Sequence, residues 1–316
     1  MSLETLPSTV ESGIAYSVVV PCYYSERTLA DLLEHLDRVF RSAGLTYEVI
    51  FVDDGSMDGT WKTIVSLCDA SGGRVRGVRL ARNFGQHNAT LCGFRFARGE
   101  FAVTIDDDLQ TPPSEILKLR ERQKEGNFDL VYGVYAEKKH GSLRNLGSRG
   151  VQRILSYAFE SKVKASSFRL LRRSLYEKLT KFSQSSLYLD GLVSWHTRSV
   201  TSVVVEHRER VSGESGYRIW GLVRMASRLV FDYTTLPLRA VVFLGLLMSG
   251  FSFLAGSFFV AKKLFFGAPL GFTSVIASIF LSTGLILLCI GVIGEYLRRL
   301  LAMATQRPQT SIAEVI

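Results

Sequence analysis

Apolar runs alternate with amphipathic segments along the first 135 residues of the chain. "YSVVVP" at 16–21 and "YEVIFVDD" at 47–54 are short, rich in β-branched and aromatic residues, and typical of buried strands. Between them, "TLADLLEHLDRVFRSA" at 28–43 places apolar residues from Leu29 to Phe40 at helical spacing. The pattern therefore predicts strand, helix and strand in succession.

The same alternation continues to residue 134. The predicted strands are 16–21, 47–54, 74–81, 100–107 and 128–134, and the predicted helices are 28–43, 58–70, 85–99 and 112–126. Strands that alternate with helices through short links form a mostly parallel sheet with helices on both faces. Ligands of such α/β sheets bind at the carboxyl ends of the strands. We therefore expect a binding crevice at that edge.

The pattern loosens after residue 135. We expect a helix at 143–160, a strand followed by a helix over 166–179, and a strand at 200–211. "IWGLVRMASRLVFDYTTL" at 219–236 interleaves apolar residues with arginines. Such a pattern is typical of an amphipathic helix that lies in a membrane interface.

Two segments further along are long enough to cross a bilayer. Residues 240–261 hold no charged side chain over 22 positions, and residues 264–294 are also free of charge. About 20 helical residues cover the roughly 30 Å hydrocarbon core. We predict transmembrane helices at 239–261 and 272–295. A pair of buried core helices is the alternative, and the lack of a polar face argues against it.

Flanking charges predict the orientation of this hairpin. Arginines stand at 239, 298, 299 and 307, outside the two spans, and two lysines stand at 262 and 263, between them. Positive flanks stay in the cytoplasm, and we expect the two lysines to snorkel at the interface. The chain is thus predicted to be a multi-pass protein of the inner (cytoplasmic) membrane. Its parts are a cytoplasmic domain at 1–218, an interfacial helix at 219–238, the two spans, and a cytoplasmic tail at 296–316.

Charge is unevenly distributed along the chain. The net charge is +9, from 38 Lys and Arg against 29 Asp and Glu. Residues 137–239 hold 19 basic against 8 acidic side chains, which is +11, and the remainder is therefore −2. A basic segment beside a membrane attracts anionic lipid or a phosphate-bearing ligand. No helix-turn-helix or aromatic-interleaved pattern favours nucleic acid, and we expect none as a partner.

Carboxylates directly follow two of the predicted strands. One strand ends in Asp53 and Asp54, and "TIDDDLQTPP" at 104–113 places three aspartates after an apolar run. Consecutive carboxylates repel one another unless a cation lies among them. Mg²⁺ typically takes one or two carboxylates plus substrate phosphates. Asp106 and Asp108 can face such an ion together, and a solvated acidic turn that caps the next helix is the alternative.

Five motifs occur in the order of a known family. They are "SVVVPCYYSE", "FVDDGSMDGT", "ARNFGQHNATLCGF", "TIDDDLQTPP" and "RVSGESGY". With the two spans, the chain resembles the polyprenyl-phosphate glycosyltransferases of family 2, which have a GT-A fold and include the dolichol-phosphate and undecaprenyl-phosphate sugar transferases. The resemblance covers nearly the whole chain. It implies a Rossmann-like sheet domain, interfacial helices and a membrane hairpin.

The resemblance also implies how the donor binds. Asp53, with Pro21 and Tyr23, would line the pocket for the nucleotide base of a nucleotide-sugar, with a UDP-sugar favoured. Asp54 and Glu26 would belong to the same donor site, although the family usually has Asn-Glu where this chain has Tyr24 and Ser25.

Catalytic and metal-binding roles follow from the same resemblance. Asp106 would face the ribose and diphosphate, while Asp108 and Gln110 would hold Mg²⁺ or Mn²⁺. Arg210 would meet phosphate, and Asp106, Asp108 and Arg210 would form the catalytic set.

The acceptor would be a polyprenyl phosphate, held by the arginines Arg144, Arg169 and Arg210. Relatives often carry an Asp, proposed as the base, where this chain has Ser167. A phosphate monoester has its second pKa near 6, so it attacks as an anion and needs little help from a base. Asp190 is the remaining candidate base, and a helix-start cap is its alternative role.

The expected function is inverting transfer of one sugar to undecaprenyl phosphate, or a related polyprenyl phosphate, at the cytoplasmic face. A processive glycan synthase is one alternative, but the expected "QxxRW" segment is not found, since "VQRIL" at 151–155 is not that motif. A catalytically inactive membrane scaffold is another. Glycines recur in both spans and let helices approach closely, which is compatible with a homo-oligomer.

Overall fold

The computed structural model describes residues 13–135, 165–183, 188–208, 236–266, 271–304 and 308–316. The strands are β1 (Tyr16–Cys22), β2 (Tyr47–Asp53), β3 (Val75–Leu80), β4 (Phe101–Thr104), β5 (Leu130–Tyr135), β6 (Arg169–Arg172), β7 (Val200–Val205) and β8 (Ile312–Val315). The helices are α1 (Leu29–Ser42), α2 (Thr60–Ala70), α3 (Gln86–Phe94), α4 (Ile116–Gly126), α5 (Arg173–Thr180), α6 (Leu189–His196), α7 (Leu236–Phe266) and α8 (Phe272–Ala304). The predicted helices at 143–160 and 219–236 lie outside the described residues, apart from Leu236.

The strands form one mixed sheet in the order β7-β5-β6-β4-β1-β2-β3-β8. Strands β4, β1, β2 and β3 run parallel to one another, as do β5 and β7, whereas β6 and β8 are antiparallel to their neighbours. Every residue of β1 and β2 is buried, as expected for parallel strands covered on both faces.

Helices cover both faces of the sheet. Successive side chains of a strand point to opposite faces, and Val18 and Val20 of β1 belong to one hydrophobic cluster while Val19 belongs to the other. The first cluster includes residues of α1, α2 and α4, and the second includes residues of α3, α5 and α6. The predicted α/β fold is therefore confirmed.

Helix α3 packs close to the centre of the sheet. A Cβ at Gly93 would lie 2.4 Å from Val19 Cγ1 and 3.0 Å from Val52 Cγ2. Only glycine fits at this distance without displacing the valines. The close approach brings the start of α3 beside the carboxyl ends of the central strands.

Several predicted boundaries were too wide at the binding edge. Strand β4 ends at Thr104 instead of residue 107, and β7 ends at Val205 instead of residue 211. A 3₁₀ turn at Pro113–Glu115 precedes α4, so that helix begins later than predicted. The aspartates after β4 therefore stand in a turn, where their side chains are not restricted to alternate faces of the sheet.

Strand β8 was not predicted, because its short sequence was assigned to a tail. It pairs antiparallel with β3 at the sheet edge. Gly77 and Ile316 exchange two backbone hydrogen bonds of 2.9 Å, and Ala81 N–H donates to Ser311 O at 2.8 Å. Residues after α8 thus complete the sheet that the N-terminal residues begin.

Helices α7 and α8 contact each other and belong to a second compact unit. They contain the two predicted spans, 239–261 and 272–295. Judged on the residues that the structure describes, none of the helices has the length and apolar character needed to cross a membrane.

Candidate functional site

The acidic turn after β4 begins with Asp106, whose carboxylate is held by two neighbours. Gln86 Nε2 donates to Oδ1 and Ser167 Oγ donates to Oδ2, each at 2.6 Å. Burial, followed by the charge of Asp108, raises the pKa of Asp106, although the hydrogen bond from Ser167 opposes the rise. Asp106 is therefore an oriented and partly desolvated carboxylate.

Asp107 serves the loop after β1. Its Oδ2 accepts hydrogen bonds from the hydroxyl of Ser25 and from Tyr23 N–H, the latter at 3.3 Å. Burial raises the pKa of Asp107, and the two hydrogen bonds oppose that rise. The central aspartate thus ties the first strand-end loop to the acidic turn.

Asp108 and Gln110 are joined by a local hydrogen bond. Gln110 N–H donates to Asp108 Oδ1 at 3.1 Å, and Gln110 O accepts from Arg208 N–H at 2.8 Å. Leu109 between them adopts a left-handed conformation with φ of 58°. Across the described ranges, no three His, Cys, Asp or Glu side chains form a cluster that could hold a metal ion.

A cavity of about 150 Å³ opens beside Asp106. Strands β1, β4 and β6, helix α3 and the start of α6 supply its walls. Its lining residues are Pro21, Gln86, His87, Thr90, Thr104, Asp106, Ala165, Ser166, Ser167, Arg169, Tyr188 and Asp190. The cavity therefore lies at the carboxyl ends of central strands, where the sequence predicted a crevice.

A buried ion pair forms one side of this cavity. Arg169 donates from Nη1 to Asp190 Oδ1, and the two side chains are 4% and 12% exposed. The hydroxyl of Tyr132 donates to the same oxygen at 2.8 Å, and Arg169 Cζ lies 5.7 Å from the Tyr132 ring centroid. Asp190 is the second residue of α6 and the acidic residue of its first turn. Its side chain pairs with Arg169, and both roles considered for it, base and helix-start cap, stay predictions.

His87 lies in the same wall and has no acidic or basic hydrogen-bond partner among the described residues. Its ring meets the Tyr188 ring edge-on at 5.4 Å between centroids. Burial lowers the pKa of His87, and the Arg169 charge lowers it further, while Asp190 opposes both. The imidazole is thus a neutral part of the wall near pH 7.

Three acidic residues assigned to the donor site, at the ends of β1 and β2, have partners away from this cavity. Asp54 accepts backbone hydrogen bonds from Phe84 at 2.7 Å and Gly85 at 2.8 Å, which fixes the entry to α3. Asp53 Oδ1 accepts from Ser56 N–H at 2.9 Å. Glu26 Oε2 accepts from Gly59 N–H at 3.1 Å.

The predicted site residues thus divide into three groups. The cavity brings together Pro21, Asp106, Arg169 and Asp190. Asp108, Gln110 and Tyr23 belong to the loops beside it, while Asp53, Asp54 and Glu26 lie at the β2 end and do not line the cavity. Arg144 and Arg210 lie outside the described residues.

Sequence reasoning missed Gln86, Tyr132 and Tyr188 as parts of the site. Gln86 stands in a motif that was noticed, "FGQHNA", and its position as first residue of α3 could have indicated a role. Tyr132 belongs to an apolar strand, and only the fold brings it to Asp190.

Comparison with known proteins gives concordant matches. The profile of glycosyl transferase family 2 matches residues 17–180. The undecaprenyl-phosphate 4-deoxy-4-formamido-L-arabinose transferase of Pseudomonas aeruginosa is 34% identical over 307 residues, which cover 95% of this chain and 90% of that protein. The transferase of the same name from Shewanella sediminis is 30% identical over 305 residues, covering 95% and 92%.

A solved structure shares the fold. Glucosyl-3-phosphoglycerate synthase from Mycobacterium tuberculosis, in complex with Mn²⁺ and UDP-glucose, superposes with a TM-score of 0.51 at 21% identity. The match covers 70% of this chain and 78% of that one.

Proposed function

Because the chain belongs to glycosyl transferase family 2, we propose that it transfers one sugar from a nucleotide-sugar to a polyprenyl phosphate. The relatives are named for undecaprenyl phosphate, and this acceptor is the first choice for the chain. The observation that carries the proposal is the cavity in which Asp106 and Arg169 stand together at the strand ends. Donor and acceptor of this reaction both bear phosphate.

The reaction is a single displacement. An oxygen of the lipid phosphate forms a bond to the anomeric carbon, while the bond from that carbon to the nucleoside diphosphate breaks and its electron pair leaves with the diphosphate. One displacement inverts the configuration. The attacking phosphate is already ionised near neutral pH, so no side chain has to remove a proton.

Arg169 suits the acceptor phosphate, since a guanidinium can pair with phosphate through two donors. Its pairing with Asp190 and its place over Tyr132 fix its orientation. This supports a positioning role for Asp190 in preference to that of a base. Arg144 and Arg210 remain proposed partners of phosphate.

The acidic turn fits a divalent cation. Burial raises the pKa of Asp106, and the charge of Asp108 adds to that rise. A cation among these carboxylates would offset their repulsion. Asp108 and Gln110 would hold Mg²⁺ or Mn²⁺, with the donor diphosphate completing the ligand set. When bound, the ion would stabilise the charge of the departing diphosphate.

The donor base is assigned to Asp53, Pro21 and Tyr23, with Asp54 and Glu26 shaping the same strand ends. A UDP-sugar is the favoured donor. A screen of UDP-, GDP- and modified nucleotide-sugars with undecaprenyl phosphate tests the proposal, with lipid-linked sugar as the product measured. The wild type should form that product with at least one donor. No product with any donor would favour an inactive scaffold.

The matched variants for this screen come from the acidic turn. Asp108→Ala should abolish transfer, whereas Asp107→Asn keeps an acceptor for Ser25 and Tyr23 and should stay active. Full transfer by Asp108→Ala would overturn the metal assignment and leave the reaction class untouched.

The proposal includes a membrane hairpin at 239–261 and 272–295 with the sheet domain in the cytoplasm. Support comes from β8, because residues before α7 and after α8 join one sheet and so share one side of the bilayer. In intact cells, a cysteine placed by Ala268→Cys should react with an impermeant thiol reagent added outside. Lack of labelling in cells, with labelling in lysed cells, would contradict this orientation.

A further inference from the structure

Strand β8 makes a side-chain contact that the proposed mechanism does not use. Glu314 Oε2 accepts a hydrogen bond of 2.9 Å from the indole Nε1 of Trp61. Trp61 lies in the first turn of α2 and is 8% exposed. A residue of β8 therefore fixes a nearly buried aromatic ring that lies 253 positions earlier in the sequence.

The Trp61 ring in turn holds Arg79. Arg79 Cζ lies 5.8 Å from the ring centroid, and Arg79 and Glu314 are cross-strand partners in β3 and β8. Indole faces attract cations. A hydrogen bond from the indole N–H to a carboxylate polarises the ring, and this strengthens its attraction for the guanidinium.

Arg79 lies beside Asp53, the carboxylate assigned to the nucleotide base of the donor. Arg79 Nε is 3.7 Å from Asp53 Oδ2, and the Asp53 side chain is fully buried. Within the described part of the chain this oxygen accepts no hydrogen bond. A buried acceptor without a donor is unfavourable, and the nearby charge of the Arg79 guanidinium offsets part of that cost, so the position of Arg79 affects the Asp53 carboxylate.

We propose that Glu314 is a positioning residue for the donor-base site. It orients Trp61, and Trp61 keeps Arg79 at a fixed distance from Asp53. The partner recognised at this site is the base of a nucleoside diphosphate, so the inference rests on the proposed function. The C-terminal strand thereby sets donor affinity from outside the cavity.

The test is titration of the full chain in lipid nanodiscs with UDP and, separately, GDP, in the presence of Mn²⁺. Glu314→Ala and Trp61→Phe should each raise Kd about threefold to tenfold, the change that one hydrogen bond of typical net value produces. Glu34→Ala is the matched control, because it removes an exposed glutamate that pairs only with Arg38 in the described residues. Its Kd should equal that of the wild type.

Kinetics and coupling separate positioning from simple loss of structure. Both variants should raise the donor KM and leave kcat within about twofold, since neither residue touches the reacting atoms. The double variant should bind no more weakly than the weaker single variant, because both remove the same contact. Glu314→Gln keeps an acceptor oxygen and should restore part of the affinity.

If folded Glu314→Ala and Trp61→Phe bind the nucleotides with the wild-type Kd, this inference is overturned and the proposed function is not affected. An equal fall in kcat in both variants, with unchanged KM, would also overturn it. Failure of the wild type to bind either nucleotide would instead overturn the proposed function, and the inference with it.

Discussion

Arg169 and Asp190 form an ion pair inside the cavity, where the two side chains are 4% and 12% exposed. Strand β6 carries the cation and helix α6 the anion, so the pair joins two elements that are separate in sequence. Removing one partner from a buried pair leaves an unpaired charge, which costs far more than the pair itself contributes. Replacing one partner alone should therefore reduce stability more than replacing both partners together.

Asp190→Ala should lower the free energy of unfolding by about 3 kcal/mol, because Arg169 loses its counter-charge in a buried place. Denaturant unfolding of the purified chain measures the change. The double variant Arg169→Met with Asp190→Leu should recover much of the stability and remain inactive. Equal stability of Asp190→Ala and the wild type would contradict the burial of the pair.

Ser167→Ala should move the acid limb of the pH–rate profile to higher pH. Burial raises the pKa of Asp106 and the Ser167 hydrogen bond opposes that rise, so loss of the hydroxyl lets the carboxyl take up a proton at higher pH. Activity that needs the ionised carboxylate then falls earlier on acidification. The measurement is kcat/KM against pH, and Ser167→Thr, which keeps a hydroxyl, is the control. If the acid limb does not move, turnover does not depend on the ionisation of Asp106.

His87 should make folding stability depend on pH. Burial lowers the pKa of His87 below the ordinary histidine value of about 6.5, whereas the unfolded chain regains that value. Unfolding therefore takes up a proton as the pH falls below about 6.5, and stability present above that pH declines towards acid. His87→Gln should show a smaller fall in Tm between about pH 7.5 and 5.5. An identical fall in Tm in the wild type and in His87→Gln would rule out His87 as the source of the pH dependence.

Gly93→Ala should destabilise the sheet domain by about 1–3 kcal/mol, because the added Cβ would overlap Val19 in a packed core. Val19→Ala makes room for that Cβ. The double variant should therefore lose less stability than the sum of the two single losses. Strict additivity in denaturant unfolding would mean that the helix shifts away from the sheet instead.

Local pattern predicted most of the fold because its strands and helices follow one another with regular apolar spacing. The runs at 16–21 and 47–54 are mostly apolar, and each corresponds to a buried central strand. Strand ends were harder to predict. The chain leaves the ladder at Thr104, where neighbouring carboxylates favour a turn, and apolar spacing does not report that change.

The site was predicted where consecutive residues carry it and missed where the fold assembles it. Asp106 and Asp108 stand out because three aspartates in a row are unusual after an apolar run. The contact of Tyr132 with Asp190 joins residues 58 positions apart, and a single sequence gives no sign of it. Strand β8 was missed for the same reason. Its four residues show no strong alternation of apolar and polar side chains, and they predict a strand only once β3 is known to have an open edge.

The pairing of β3 with β8 also orders events during synthesis. Trp61 and Glu314 are separated by 253 positions, so the ribosome makes both long helices after β3 and before β8. Until then the β3 edge presents unpaired backbone groups, which are a template for aggregation. A chain that stalls within α8 would keep that edge open. Quality-control proteases could therefore distinguish chains that lack β8 from chains that contain it by the exposed edge of β3.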